Sequence, residues 1–110
     1  MKQVIFIDFD GTICPYGQVS EPPFEGCVDT INTMMDKGFH VTIFSCRGNK
    51  EVVRDMPASV AQMVEYLTTH GIRYTDIYYG KPLYDVLIDD RAVGFTDDWS
   101  VIRKRVLGNG

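Results

Sequence analysis

The sequence predicts an α/β fold around a mainly parallel sheet, and three observations carry the prediction. Val4 to Ile7 is a wholly apolar run rich in β-branched and aromatic side chains. Without polar alternation it reads as a strand buried on both faces of a parallel sheet. Apolar runs of strand length then take turns with stretches at helical spacing, the order that βαβ units produce. Finally, these runs end in polar residues capable of chemistry. In open α/β sheets the carboxyl ends of the strands are where ligands sit.

The first strand stops at Asp8-Phe9-Asp10-Gly11-Thr12. Asp8 and Asp10 are two residues apart, so in extended geometry both side chains share a face and can meet one cation or one phosphoryl group. Gly11 supplies a sharp exit. Residues 13–24 are dense in Pro and Gly without helical period, as in a loop or small hairpin folded beside the cleft as a flap. From about Glu25 to Lys37, Val28, Ile31 and Met35 form one apolar stripe, and Gly38 stands where a helix normally ends.

Phe39 to Phe44 is a second strand, followed by Ser45-Cys46-Arg47-Gly48-Asn49. Residues 49–56 are either a helical turn broken before Pro57 or a loop over the site. A second helix follows, with Pro57 in its first turn, Val60, Met63, Val64 and Leu67 at helical spacing, and Gly71 as the stop. Tyr74 to Tyr79 is a short third strand ended by Gly80-Lys81-Pro82, and Tyr84 to Ile88 a fourth ended by Asp89-Asp90-Arg91. Thr96 is the expected N-cap of a last helix, with Asp97 and Asp98 in its first turn and Arg103, Lys104 and Arg105 near its end, as the helix dipole favours. Trp99, Ile102 and Val106 share one face and are read as core.

At 110 residues the chain is expected to be one domain, residues 1–110, with room for a core and little for a second module. Hydrophobic residues make up 45% and charged residues 24%, as in a globular protein, and no apolar run approaches the ~20 residues of a membrane helix. The N-terminus lacks a signal-peptide layout, so a cytoplasmic location is the default expectation. Cys14, Cys27 and Cys46 are odd in number and widely spaced, which fits reduced thiols better than a disulfide framework or a zinc site. A net charge of −4 and a pI of about 5.0 disfavour a general polyanion binder.

Four strand ends thus present Asp8 with Asp10, Ser45, Lys81, and Asp89 with Asp90 at one sheet edge. Asp8-Phe9-Asp10-Gly11-Thr12, Ser45 after an apolar strand, Lys81 in Gly-Lys-Pro and Ile88-Asp89-Asp90 resemble the four signature motifs of the haloacid dehalogenase superfamily, over residues 4–90. The resemblance implies a Rossmann-like three-layer α/β/α sandwich. It also implies a Mg²⁺-dependent phosphomonoester hydrolase, in which Asp8 is the nucleophile that becomes an aspartyl-phosphate and Asp10 the general acid and base. Mg²⁺ would be held by Asp8, the Asp10 carbonyl and Asp90, with Asp89 orienting a water, although the division between Asp89 and Asp90 stays open. Ser45, helped by the backbone N–H that follows at Cys46, would bind a phosphoryl oxygen, and Lys81 would neutralise charge between Asp8 and the phosphate. Arg47 is either a substrate contact or a structural ion pair. Thr12 either donates near the site or closes the turn. Arg91 is read as structural.

Cys46 is not read as a nucleophile, because no arginine stands six residues on as in cysteine-based phosphatase loops. Nor does Gly80-Lys81 have the surroundings of a nucleotide-binding loop. Family members with cap domains insert them where this chain has no room, so it resembles a capless member. Its open site would be covered by the flap, by residues 47–57, by a second subunit or by a large substrate. The expected partner is a phosphorylated substrate, with a nucleic-acid 3′-phosphate end or a phosphoprotein as the alternative, and no membrane. The competing reading is a non-catalytic binding domain of the same fold.

Overall fold

The computed structural model describes residues 3–108, so the Met1-Lys2 start lies outside the described residues. Three parallel strands, β1 (Val4–Asp8), β2 (His40–Phe44) and β3 (Asp76–Tyr78), stand in the order β1-β2-β3. Helix α1 (Cys27–Asp36) connects the first two, α2 (Met56–Thr69) the second and third, and α3 (Trp99–Leu107) comes last. Both crossovers step in the same direction across the sheet, and right-handed connection then puts α1 and α2 on one face.

The burial pattern agrees with that geometry. Ile7, Val41 and Ile43 point into a core shared with Ile31 and Met34 of α1 and with Met63, Tyr66 and Leu67 of α2. The other sheet face carries Val4, Phe6, Phe44 and Tyr78, whose three rings pack on one another with centroids 5.3 to 6.4 Å apart. Val4 is 60% exposed and Phe6 53%. The expected burial of β1 on both faces is therefore corrected to one face, because the side carrying Val4 and Phe6 borders an open cavity and not a packed layer.

The stripe expected on α1 is present but centred differently. Cys27, Thr30, Ile31 and Met34 are buried, while Val28 and Met35 flank them half-buried. Pro57 sits in the first turn of α2, where its missing N–H costs nothing, and Asp55 caps the helix by accepting from the Ala58 N–H. The turn after β2 is a 3₁₀ segment, Cys46–Gly48. Residues 13–24 fold back as a loop, tied by Phe24 N–H to the Ile13 carbonyl and by the Tyr66 hydroxyl to the Glu21 carbonyl.

Two sequence expectations fail toward the C-terminus. Tyr84 to Ile88 does not form a fourth strand. A strand exists through its ladder, and among the described residues this segment makes no backbone ladder bond. Asp89 Oδ1 instead accepts the Arg91 N–H in a tight turn directly after Ile88, which is 94% exposed. The cap of α3 is Asp98, not Thr96. Its carboxylate accepts the Ser100 N–H, and Asp97 precedes the helix in the left-handed region at φ 60°. Trp99 is the first residue of α3 and is fully buried, with Ile102 and Val106 half-buried beside it, so the core role of that triplet holds.

Candidate functional site

Strand register builds the site. Asp8 pairs with Phe44, which pairs with Tyr78, so the three strands end level. The residues that follow leave the sheet together at one edge: Phe9-Asp10 from β1, Ser45 from β2, and Tyr79-Gly80-Lys81 from β3. Phe9 turns fully into the core. Gly11 then takes φ +85°, a conformation that L side chains adopt only at a cost, and lets the chain reverse so that the Thr12 and Ile13 N–H groups return to the Phe9 carbonyl.

Asp8 is held from two sides. Lys81 Nζ donates to Asp8 Oδ1 at 2.9 Å, and Thr12 Oγ1 donates to Asp8 Oδ2 at 3.3 Å. The ammonium also lies 5.3 Å from the Phe44 ring centroid and 5.4 Å from that of Tyr84. Burial works against the Lys81 charge, yet the hydrogen bond to Asp8 and the charge of that carboxylate outweigh it and raise the Lys81 pKa. Asn49 supports the loop by donating to the Lys81 carbonyl at 3.1 Å.

Asp10 is held by Arg47. Nε and Nη2 donate to Oδ2 and Oδ1, each at 2.8 Å, a fork-to-fork ion pair. The third guanidinium nitrogen, Nη1, faces α2, with the Ser59 carbonyl at 3.0 Å and Ser59 Oγ and Gln62 Oε1 at 3.3 Å. Arg47 is buried, and its guanidinium carbon stands 5.3 Å from the Phe9 ring centroid. Hydrogen bonding to Asp10 raises the pKa of the guanidinium beyond its ordinary value. Of the two sequence readings of Arg47, the ion pair is the geometry observed.

Ser45 is fully buried and accepts the Arg47 N–H through Oγ at 3.0 Å, which leaves its own hydroxyl hydrogen free to donate. Cys46 is half-buried in the adjoining turn. A cavity of about 650 Å³ opens along β1, lined at its polar end by Asp8, Thr12, Lys81, Asp89 and Arg91 and elsewhere by apolar residues of β1 and α3. The structure thus brings Asp8, Thr12 and Lys81 together at this cavity and Asp10, Ser45 and Arg47 at the turn next to it. Asp89 lines the cavity wall and Asp90 does not, and both are exposed.

The oxygen-rich donor set, Asp8, the Asp10 carbonyl, Asp89 and Asp90, has the chemistry of a Mg²⁺ site. Among the described residues no three acidic, histidine or cysteine side chains are grouped about a common point, and each carboxylate oxygen of Asp8 and of Asp10 has one protein partner.

No family model matches the chain, and no curated protein matches it in sequence. The chain is similar in fold to a crystal structure of an MCSG target from Vibrio cholerae. That similarity has a TM-score of 0.69 and 23% identity, and covers 83% of this chain and 82% of that one. At that identity it speaks for the fold alone. No helix among the described residues is long and apolar enough to cross a membrane.

Sequence reasoning missed three supports of the site. Ser59 and Gln62 anchor Arg47, and nothing in their local pattern distinguishes them from solvent-facing helix positions. Trp99, read only as core, also donates from Nε1 to the Thr12 carbonyl at 2.8 Å and so ties α3 to the Asp8–Thr12 turn. A buried indole usually finds such a partner, and that was the available signal.

Proposed function

We propose that this chain is a phosphomonoester hydrolase of the haloacid dehalogenase type, capless and with Rossmann-like layering, acting through an aspartyl-phosphate on Asp8. The observation that carries the reading is the Asp8–Lys81 pair at 2.9 Å, in which residues 73 positions apart meet at one sheet edge beside a cavity.

In this reading an Asp8 carboxylate oxygen attacks phosphorus, the bond from phosphorus to the ester oxygen breaks, and Asp10 gives the departing alkoxide its proton. A water then attacks the phosphoryl group, Asp10 takes the proton from it, and phosphate leaves with Asp8 restored as a carboxylate. Lys81 offsets the repulsion between Asp8 and the phosphoryl oxygens, which is where charge stabilisation matters most. The Ser45 hydroxyl, the Cys46 N–H and the Thr12 hydroxyl are the proposed phosphoryl contacts. Mg²⁺ is the proposed cofactor on donor chemistry alone, and it would supply further charge neutralisation.

Among substrates, small phosphorylated metabolites are favoured over nucleic-acid ends by the acidic pI of about 5.0. A phosphoprotein remains within the same chemistry. A second reading is a non-catalytic binding domain, in which Asp8 and Asp10 serve only as the ion-pair partners of Lys81 and Arg47.

Hydrolysis of p-nitrophenyl phosphate by purified protein, with and without Mg²⁺, separates the two. Activity that disappears in Asp8→Asn supports the hydrolase. An inactive wild type, or an Asp8→Asn variant as active as wild type, refutes it.

A further inference from the structure

We propose that Arg47 is a positioning residue: anchored to α2, it aims the Asp10 carboxylate for proton transfer and does not bind the substrate's phosphoryl group. The inference rests on the hydrolase reading above.

The hydrogen-bond inventory of the guanidinium carries the argument. Arginine has five N–H donors, and it recognises a phosphoryl group by presenting two of them in parallel. Here the parallel edge, Nε and Nη2, is already committed to Asp10 at 2.8 Å on both arms. Nη1 is committed to Ser59 and Gln62. With Arg47 only 8% exposed and stacked near Phe9, one Nη2 hydrogen is left, too little for a phosphoryl clamp.

Asp10 needs such a holder. It lies outside the regular part of β1, directly before the left-handed Gly11, so neither a strand nor a helix fixes its side chain. The fork fixes it without exhausting it, because each carboxylate oxygen keeps a second lone-pair site for the proton it handles. Through Ser59 and Gln62 the orientation of Asp10 is referred to the rigid body of α2. A misplacement of about 1 Å in such a group can cost on the order of 10²-fold in rate.

The test measures kcat and KM for p-nitrophenyl phosphate and for glycerol phosphate, whose alkoxide needs a proton far more than nitrophenolate does. Wild type, Arg47→Ala, Arg47→Lys and Gln62→Leu are compared. Arg47→Ala is expected to lose on the order of 10²-fold in kcat on the alkyl ester and distinctly less on the aryl ester, with KM little changed. Free guanidinium at low, non-denaturing concentration should restore part of the loss. Arg47→Lys should not restore it, since an ammonium cannot form the fork. Gln62→Leu should move kcat in the same direction by a smaller factor.

A raised KM with kcat preserved would assign Arg47 to the substrate and overturn the proposal. Equal losses on both esters would reduce it to a structural ion pair. If Arg47→Ala fails to fold, Arg47→Lys and Gln62→Leu decide alone, and wild-type kcat in both overturns the proposal. An active, Asp8-dependent wild type whose Arg47 variants are indifferent sinks this inference only. A wild type without Asp8-dependent turnover sinks the hydrolase reading, and this inference with it.

Discussion

Trp99→Phe removes, among the described residues, the one side-chain hydrogen bond that joins α3 to the Asp8–Thr12 turn, and its cost follows from two parts. The indole N–H to the Thr12 carbonyl, at 2.8 Å, is lost. A net hydrogen bond is worth about 1 kcal/mol, more where the orphaned carbonyl cannot be rewetted. The indole is 1% exposed and touches Phe95 with centroids 5.8 Å apart, so a smaller ring leaves a void. By analogy with large-to-small core substitutions this adds roughly 1 to 2 kcal/mol. The sum is about 2 to 3 kcal/mol, a drop of roughly 4 to 8 °C in Tm for each kcal/mol in a domain of this size. Trp99 is the only tryptophan in the chain, so tryptophan fluorescence would vanish with it. Urea and thermal unfolding followed by far-ultraviolet circular dichroism is the suitable assay. A variant within ~0.5 kcal/mol of wild type, the scatter expected of a neutral surface change, would refute the claim that this contact holds the turn to α3.

Three further outcomes follow from the same structure. Gly48→Ala should destabilise by about 1 to 3 kcal/mol, because a Cβ there collides with the Tyr79 side chain and carbonyl and must push the loop carrying Lys81. Wild-type stability by urea titration would contradict that close approach. Lys81 gains a partner on folding, so its folded pKa lies above the ordinary 10.5. Its stabilising contribution is therefore complete below the unfolded value and is lost as pH rises through the folded one. The stability margin of wild type over Lys81→Met should accordingly shrink only at strongly alkaline pH, and a margin already lost near neutrality would contradict the pairing. Burial pushes the Cys14 thiol up to about 11 and Cys27 up to about 12, so iodoacetamide at pH 8 should label native protein at Cys46 alone and all three cysteines after unfolding. Prompt labelling of Cys14 or Cys27 in the native state would refute their burial.

Much of the sheet was legible in the sequence because its signals are local. The runs at 4–7 and 39–44 and the spacing of Met63 and Leu67 are periodic patterns that burial enforces directly. Asp8 and Lys81 were legible at one sheet edge because each follows a predicted strand and parallel register brings strand ends level, while the role of Lys81 beside Asp8 came from the family resemblance. Tyr84 to Ile88 carries as strong an apolar pattern and yet forms no strand. Pattern specifies a surface that can pair, while the ladder also needs a neighbour, and the turn at Asp89 takes the chain elsewhere.

The cap of α3 shows a similar limit on a smaller scale. Thr96, Asp97 and Asp98 are all competent caps, and the choice falls to Asp98 because the helix must begin where the Trp99 indole is buried. Arg47 is the clearest case at the site. Its two roles were equally consistent with the sequence, and only the meeting of residues 10, 47, 59 and 62 in space distinguishes them.

The central claim, that Asp8 is a nucleophile, is tested most directly by mass spectrometry of protein quenched in acid during turnover of p-nitrophenyl phosphate. One phosphoryl group on the peptide containing Asp8, absent in Asp8→Asn and removed by hydroxylamine as an acyl phosphate would be, is the predicted result. Steady turnover with no phosphoryl group on that peptide under any quench condition, or turnover undiminished in Asp8→Asn, would contradict it.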